Sequence, residues 1–326
     1  MDHLLLLSAL AIGAGLALLV WGADRFVHGA AATARNLGVP PLIVGLTIVG
    51  FGTSAPEMLV SIVAAAQGNP ALAVGNAVGS NITNIGLVLG ATALTAPLRV
   101  RSGTLHREFP MAFLITLVTL LLMLDGALSR WDGIILLSGL GLMAYWMVTL
   151  GRRANRRDPL ENEFEQEIPV GMSTTHALLW VVIGLALLLI SSRALVWGAV
   201  NLAHAFGVSD LVIGLTVVAI GTSLPELAAS VMSALKREPD IALGNVLGSN
   251  MFNMLAVIGF PALISPLRLD AALLERDMPI MIGLSIALFV MAYGFRGDGR
   301  ITRWNGAILI AAYLGYLVLL YFTAAA

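Results

Sequence analysis

The sequence contains no cysteine among its 326 residues, which excludes disulfides and thiolate metal sites. Charged residues are also scarce, at 11%, whereas soluble domains carry about a quarter. The net charge of −1 provides no electrostatic footprint for a nucleic-acid partner. Hydrophobic residues make up 58% of the chain, so its composition is that of an integral membrane protein.

Apolar stretches long enough to cross a bilayer, about 20 residues each, recur along the chain. They fall near residues 4–24, 39–66, 71–96, 108–124, 130–150, 176–200, 209–235, 240–265, 276–294 and 302–323. The first stretch lacks the basic segment of a signal peptide, so we expect it to be retained as a helix. The pattern predicts an all-α integral membrane protein with ten transmembrane helices.

Two parts of the sequence are nearly identical. Residues 45–57 read GLTIVGFGTSAPE and residues 214–226 read GLTVVAIGTSLPE. A second matching block follows each, GNAVGSNITN at 75–84 and GNVLGSNMFN at 244–253. One unit of five helices is therefore written twice. Because five is odd, the two copies must enter the membrane in opposite directions, which is the inverted repeat of many secondary transporters.

The repeat sets the expected organisation of the chain. We predict a first five-helix repeat at 1–151, a cytoplasmic linker at 152–175 and a second, inverted five-helix repeat at 176–326. Most Lys and Arg residues fall in loops that would share one face, and positive charge marks the cytoplasmic face. We therefore expect a multi-pass protein of the plasma (inner) membrane with both termini outside.

Two prolines interrupt the repeated spans. Pro56 and Pro225 lie near the middle of predicted helices 2 and 7, and a proline there breaks the helix. The carbonyl groups freed by such a break need another partner at membrane depth, and a cation would serve. Glu57 and Glu226 follow the prolines directly. Each break also has neighbouring hydroxyl groups, on Thr53, Ser54, Thr222 and Ser223.

The second blocks add amide groups to this set. Asn76, Ser80 and Asn84 are spaced four residues apart and share a helical face. Glycines in a small-xxx-small pattern allow close helix contact, which would bring Asn84 and Asn253 toward the carboxylates. Carboxylate, amide, hydroxyl and carbonyl oxygens suit Ca²⁺ or Na⁺ rather than Zn²⁺ or Cu²⁺. If only one copy of the motif were present, its glutamate could equally be a protonated residue with a structural role. Two symmetric copies favour a functional role for both glutamates.

The motif G-T-S-x-P-E followed by G-N-x-x-G-S-N-x-x-N, present in both inverted halves, resembles the α-repeats of the sodium/calcium exchanger family. Over nearly its whole length the chain is similar to the compact prokaryotic members of the calcium/cation antiporter superfamily. The resemblance implies ion-binding roles for Glu57, Glu226, Asn84, Asn253, Thr53, Ser54, Ser80, Thr222, Ser223 and Ser249, with carbonyl ligands near Gly50 and Ala219. It implies Ca²⁺ and Na⁺ as transported substrates, a lipid bilayer around the chain, no cofactor and no indicated protein partner.

The chain departs from the family pattern at one position. Well-known exchangers carry an aspartate at one of the two amide positions, whereas this chain has Asn84 and Asn253, so Glu57 and Glu226 limit the fixed site charge to −2. Proton-coupled relatives tend to carry a glutamate within the G-N-x-x-G block, which is absent here and favours Na⁺ as the counter-ion.

We therefore expect a secondary-active antiporter, and no enzyme, that exchanges Ca²⁺ for Na⁺ across the plasma membrane by alternating access. Helices 1 and 6, which are long and rich in glycine, are expected to slide against the core. The alternatives are an H⁺/Ca²⁺ (or other divalent cation) antiporter, a channel, and an intramembrane hydrolase that uses the paired glutamates as acid and base.

Overall fold

The computed structural model describes residues 2–38, 41–66, 68, 70–100, 102–154, 172–205, 219–293 and 299–324. Most of the predicted linker, at 155–171, and the first part of the seventh predicted helix, at 209–218, lie outside these residues. The described helices group into ten spans, which we label α1 to α10 in chain order.

Among the first five spans, α2 and α3 are interrupted, whereas α1, α4 and α5 are continuous helices. Their bounds are Asp2–Leu37 for α1; Pro41–Val44, Gly45–Val49, Gly50–Thr53 and Ala55–Ala66 for α2; Pro70–Thr83, Asn84–Leu89 and Gly90–Thr95 for α3; Ser102–Met123 for α4; and Arg130–Ala154 for α5. The segments Gly45–Val49 and Asn84–Leu89 are π-helical turns. Such turns widen a helix locally and are frequent at functional sites.

The last five spans repeat this order, except that α9 also begins with a π-helical turn. Their bounds are Thr174–Ala205 for α6; Ala219–Thr222 and Leu224–Leu235 for α7; Pro239–Phe252, Asn253–Val257 and Gly259–Ile264 for α8; Leu273–Asp277 and Met278–Ala292 for α9; and Arg303–Ala324 for α10. A π-helical turn again begins at the last asparagine of the motif, Asn253. The predicted fold, ten helices in two inverted repeats with α2 and α7 broken beside Pro56 and Pro225, is confirmed.

The first helix is longer than its apolar stretch predicts. It extends to Leu37, because its polar residues find partners within the protein. Arg25 lies over the ring of Trp180 on α6, 4.9 Å from the ring centroid, and Asp24 receives an ion pair of 2.8 Å from Lys236 at the end of α7. Charged groups that are paired in this way need not end a helix.

In the described parts of the chain, four short strands connect the loops of the two halves; they were not predicted, since two or three residues carry no periodic signal. Strand β1, Leu98–Val100, pairs antiparallel with β4, Gly299–Ile301. Strand β2, Ala127–Leu128, pairs antiparallel with β3, Leu267–Arg268. Six spans, α4–α9, separate the strands of the first pair, and four spans, α5–α8, separate those of the second. Because both numbers are even, paired loops lie on the same membrane face, as the ten-span order requires.

The spans form a core and a packed helix pair. The core contains α2, α3, α7 and α8, and α8 crosses α2 so closely that a Cβ atom on Gly248 would lie 2.5 Å from the carbonyl oxygen of Leu46. The pair consists of α1 and α6, which contact each other along their length. There a Cβ atom on Gly29 would lie 2.6 Å from the carbonyl oxygen of Ala177, and one on Gly184 would lie 2.6 Å from the backbone nitrogen of Phe26.

Candidate cation site

The breaks in α2 and α7 place polar side chains inside the core. In α2 the segments Gly45–Thr53 and Ala55–Ala66 are bent by 49° relative to each other, with Ser54 at the bend. Because Pro56 has no N–H, it cannot donate to the carbonyl group four residues earlier, and the helix restarts around it. Glu57 therefore lies in the first turn of the second segment. In α7, Ser223 occupies the break and Glu226 the same first turn.

The two glutamates approach each other from opposite repeats. Glu57 and Glu226 are each 1% exposed, and their carboxyl groups are close enough to interact electrostatically. Ser54 at the bend of α2 donates a hydrogen bond of 3.4 Å from its Oγ to Oε1 of Glu226, so each half contributes to one shared site. Two buried carboxyl groups that interact electrostatically require a cation or protons to balance their charge.

Hydroxyl and carbonyl oxygens line the α2–α8 contact beside the glutamates. Thr53 is fully buried, and its Oγ1 lies 3.0 Å from Oδ1 of Asn245 and 3.4 Å from Oγ of Ser249. Ser249 in turn donates to the carbonyl oxygen of Gly50 over 3.4 Å. This contact depends on the small residues of both motifs, because a Cβ atom on Gly50 would lie 3.2 Å from Cα of Gly248.

The amide groups of the motif meet at the other crossing, between α3 and α8. Asn84 and Asn253 are each 1% exposed. The Nδ2 of Asn84 donates to Oδ1 of Asn250 over 3.1 Å, and the Nδ2 of Asn253 donates to Oδ1 of Asn81 over 3.0 Å. The Oδ1 atoms of Asn84 and Asn253 are left buried without a hydrogen-bond partner.

Unpartnered buried oxygens are concentrated among the predicted site residues. Of the nine buried side-chain nitrogen and oxygen atoms that have no hydrogen-bond partner in the described parts of the chain, five belong to this set. They are Oε2 of Glu57, Oδ1 of Asn84, Oγ of Ser223, Oε2 of Glu226 and Oδ1 of Asn253. Buried polar atoms are normally hydrogen-bonded, so a group of free acceptors indicates that another partner belongs there.

The chemistry of these oxygens selects the kind of partner. Carboxylate, amide and hydroxyl oxygens are ligands of hard cations such as Ca²⁺. Within the described residues no group of three or more His, Cys, Asp and Glu side chains could hold a metal ion. A cation between the two carboxylates would find neutral amide and hydroxyl oxygens beside them.

The remaining predicted residues lie around this centre. Ser80 is 5% exposed and sits one turn before Asn84 on α3. Thr222 ends the first described segment of α7 and is partly buried, directly before the buried Ser223. The backbone of Ala219 begins that segment.

The first asparagine of each second motif block holds the backbone beside a glutamate, a role that the sequence did not predict. The Nδ2 of Asn245 donates to the carbonyl oxygen of Glu226 over 3.1 Å and to Oγ of Ser230 over 2.8 Å. In the other repeat, Nδ2 of Asn76 lies 3.4 Å from the carbonyl oxygen of Glu57. The signal was present, because both asparagines occupy the same position of the repeated motif.

Comparisons with known proteins agree with this architecture. The profile of the family described as "Sodium/calcium exchanger protein" matches residues 7–149 and 176–322. A relative from Alkalimonas amylolytica, CaxA, is 51% identical over 317 residues, covering 97% of this chain and 99% of CaxA. The inner membrane protein YrbG of Escherichia coli (strain K12) is 42% identical over 320 residues, covering 98% of each chain. A solved structure of the sodium-calcium exchanger NCX_Mj, soaked with Na⁺ and Ca²⁺, aligns with a TM-score of 0.82 at 32% identity over 96% of this chain and 98% of that chain.

Proposed function

Because the chain belongs to the sodium/calcium exchanger family and is thus a cation/Ca²⁺ antiporter and no enzyme, we propose that it exchanges Ca²⁺ for Na⁺ by alternating access. The observation that supports this most directly is the group of five unpartnered buried oxygens contributed by both repeats. We assign ion binding to Glu57, Glu226, Asn84, Asn253, Thr53, Ser54, Ser80, Thr222, Ser223 and Ser249, with carbonyl ligands at Gly50 and Ala219.

Charge explains how one site serves two ions. Ca²⁺ takes about six to eight oxygen ligands, and Glu57 and Glu226 together offset the two positive charges of one Ca²⁺. Na⁺ ions that occupy the same oxygens neutralise the same carboxylates and leave no ligands for Ca²⁺. The two cations therefore compete for the site, and each passage across the membrane carries only one of them.

The helix pair α1 and α6 supplies the moving part of this mechanism. Its tight glycine contacts hold the two helices together as one unit, whereas it meets the core through fewer contacts. One of these joins Leu185 of α6 to the α2 segment, where a Cβ atom on Gly52 would lie 3.1 Å from the leucine side chain. Sliding of the pair along the core exposes the site to one membrane face at a time.

Location and organisation follow from the loops and the repeat. The protein lies in the inner (plasma) membrane with both termini outside, in keeping with the distribution of Lys and Arg and with its similarity to the inner membrane protein YrbG. Its two inverted repeats occupy 1–151 and 176–326, with a cytoplasmic linker at 152–175.

A vesicle assay tests the counter-ion. The purified full chain is reconstituted into liposomes loaded with Na⁺, and ⁴⁵Ca²⁺ uptake is measured at equal pH on both sides. We expect uptake that requires the outward Na⁺ gradient. Uptake that instead requires a proton gradient would establish H⁺/Ca²⁺ exchange, and uptake that requires no counter-ion would establish a channel.

Neutral variants test the site. Glu57→Gln and Glu226→Gln each retain the side-chain size and remove one charge, and removing one partner of a buried charge interaction costs about 2–5 kcal/mol. We expect each variant to weaken Ca²⁺ binding by at least about 30-fold and to stop exchange. Glu275→Gln, at an exposed position on α9, is the matched control and should exchange normally. Normal exchange by either site variant would contradict the assignment.

A further inference from the structure

Two asparagines outside the predicted site hold its amide ligands. Asn81 of the first repeat accepts the hydrogen bond from Asn253 of the second, and Asn250 of the second repeat accepts the one from Asn84 of the first. A third hydrogen bond, of 3.3 Å from Nδ2 of Asn81 to the carbonyl oxygen of Asn250, joins the two pairs. The arrangement is reciprocal, since each ligand asparagine is held by the opposite repeat.

The two ends of an amide group differ in their use to a cation. The carbonyl oxygen is a ligand, whereas the NH₂ group carries hydrogens that repel a positive ion. An unrestrained buried asparagine can present either end. In this structure the NH₂ groups of Asn84 and Asn253 are held by hydrogen bonds, and their oxygens are the ones that remain buried without a partner.

We propose that Asn81 and Asn250 are positioning residues of the cation site, each fixing the orientation of the ligand asparagine in the opposite repeat so that its oxygen faces the ion. This inference rests on the proposed function, because it concerns the same cation. It assigns no direct contact with the ion to Asn81 or Asn250. It also makes each half of the site dependent on the other repeat.

The surroundings of the two residues separate this role from ordinary core packing. Asn81 and Asn250 both line a cavity of about 320 Å³ between α3, α4, α8 and α9. Asn81 is 2% exposed and Asn250 is half-buried, and both lie at the wall of this cavity rather than filling it. The cavity also gives a leucine at either position room for its slightly different shape, so the substitution removes the hydrogen bond without overpacking the core.

A double-mutant cycle tests the orientation directly. Asn81→Leu leaves the NH₂ group of Asn253 without its acceptor. Asn253→Asp replaces that amide with a carboxylate, whose two oxygens are equivalent and need no orientation. With Ca²⁺ affinity of the purified full chain measured by calorimetry, we expect Asn81→Leu to weaken binding at least tenfold when residue 253 is Asn, and less than threefold when it is Asp.

A purely structural role predicts equal losses in both backgrounds, and that result would overturn the proposal. Asn81→Ser, which is shorter and cannot reach the NH₂ group, replaces Asn81→Leu in the same cycle if the leucine protein does not fold. The second pair gives an independent cycle with Asn250→Leu and Asn84→Asp, for which the same pattern is expected.

Two further variants make the result specific. Ser285→Ala changes another lining residue of the cavity, whose Oγ donates to the carbonyl oxygen of Met281 in its own helix, and it should leave Ca²⁺ affinity unchanged. Glu57→Gln is measured in parallel. If it binds Ca²⁺ as the unmodified protein does, the proposed cation site fails. If it loses binding while Asn81→Leu alone does not, the positioning role fails and the cation site stands.

Discussion

Adding one methyl group to Gly248 should separate α8 from α2 and damage the cation site. A Cβ atom there would lie 2.5 Å from the carbonyl oxygen of Leu46 and 3.0 Å from its Cα, whereas ordinary contact begins at 3.4 Å. Both neighbours are backbone atoms, so no side chain can turn away. The helices must therefore move apart by close to the 0.9 Å between 2.5 and 3.4 Å.

That movement acts on stability and on ion binding together. Overpacking of this kind costs about 1–3 kcal/mol. The hydrogen bond from Ser249 to Gly50 is already 3.4 Å long and would be lost, which displaces two proposed ligands. We expect Gly248→Ala to melt at a lower temperature in detergent and to bind Ca²⁺ at least about tenfold more weakly, a difference of about 1.4 kcal/mol.

A second glycine provides the control. In the described structure no atom lies within 4 Å of a Cβ atom on Gly283, in the middle of α9, so Gly283→Ala adds the same methyl group without a clash. Alanine also favours helix by up to about 1 kcal/mol relative to glycine. We expect an unchanged or higher melting temperature and unchanged Ca²⁺ affinity. If the two variants behaved alike, the close α2–α8 contact would not be what positions the ligands.

Two further predictions concern the site and the moving helices. Ser223→Ala removes a buried hydroxyl that has no hydrogen-bond partner and should weaken Ca²⁺ binding several-fold. The control, Ser233→Ala, removes a hydroxyl that donates within its own helix and should leave Ca²⁺ binding unchanged. Calorimetry measures both affinities, and equal values would remove Ser223 from the site. Cysteines at positions 24 and 236, where Asp24 and Lys236 form an ion pair between α1 and α7, can be cross-linked selectively because the chain has no other cysteine. The cross-link should halt exchange while preserving Ca²⁺ binding, with the same protein before cross-linking as control; continued exchange would contradict sliding of the helix pair.

The sequence predicts those features of the fold that depend on local chemistry. The helix breaks follow from the missing N–H of Pro56 and Pro225, and the ten spans follow from apolar length. The repeat predicts that both halves supply equivalent groups, and the structure accordingly joins Ser54 of one half to Glu226 of the other. These inferences need no knowledge of how the helices pack.

Features that depend on packing between distant helices were not predictable in this way. Asn81 lies off the helical face shared by Asn76, Ser80 and Asn84, so its contact with Asn253 depends on how α3 crosses α8. The π-helical turns also escape detection, because a single wider turn leaves the apolar pattern unchanged. The full length of α1 depends on partners that α6 and α7 supply.

The short strands have a consequence for how the protein is made. The strand at Leu98–Val100 leaves the ribosome early, but its partner at Gly299–Ile301 belongs to the last loop before the final helix. On the other membrane face, Ala127–Leu128 likewise waits for Leu267–Arg268. Neither half can pair its own loop strands, so a chain truncated after its first repeat would lack strand partners on both faces of the membrane.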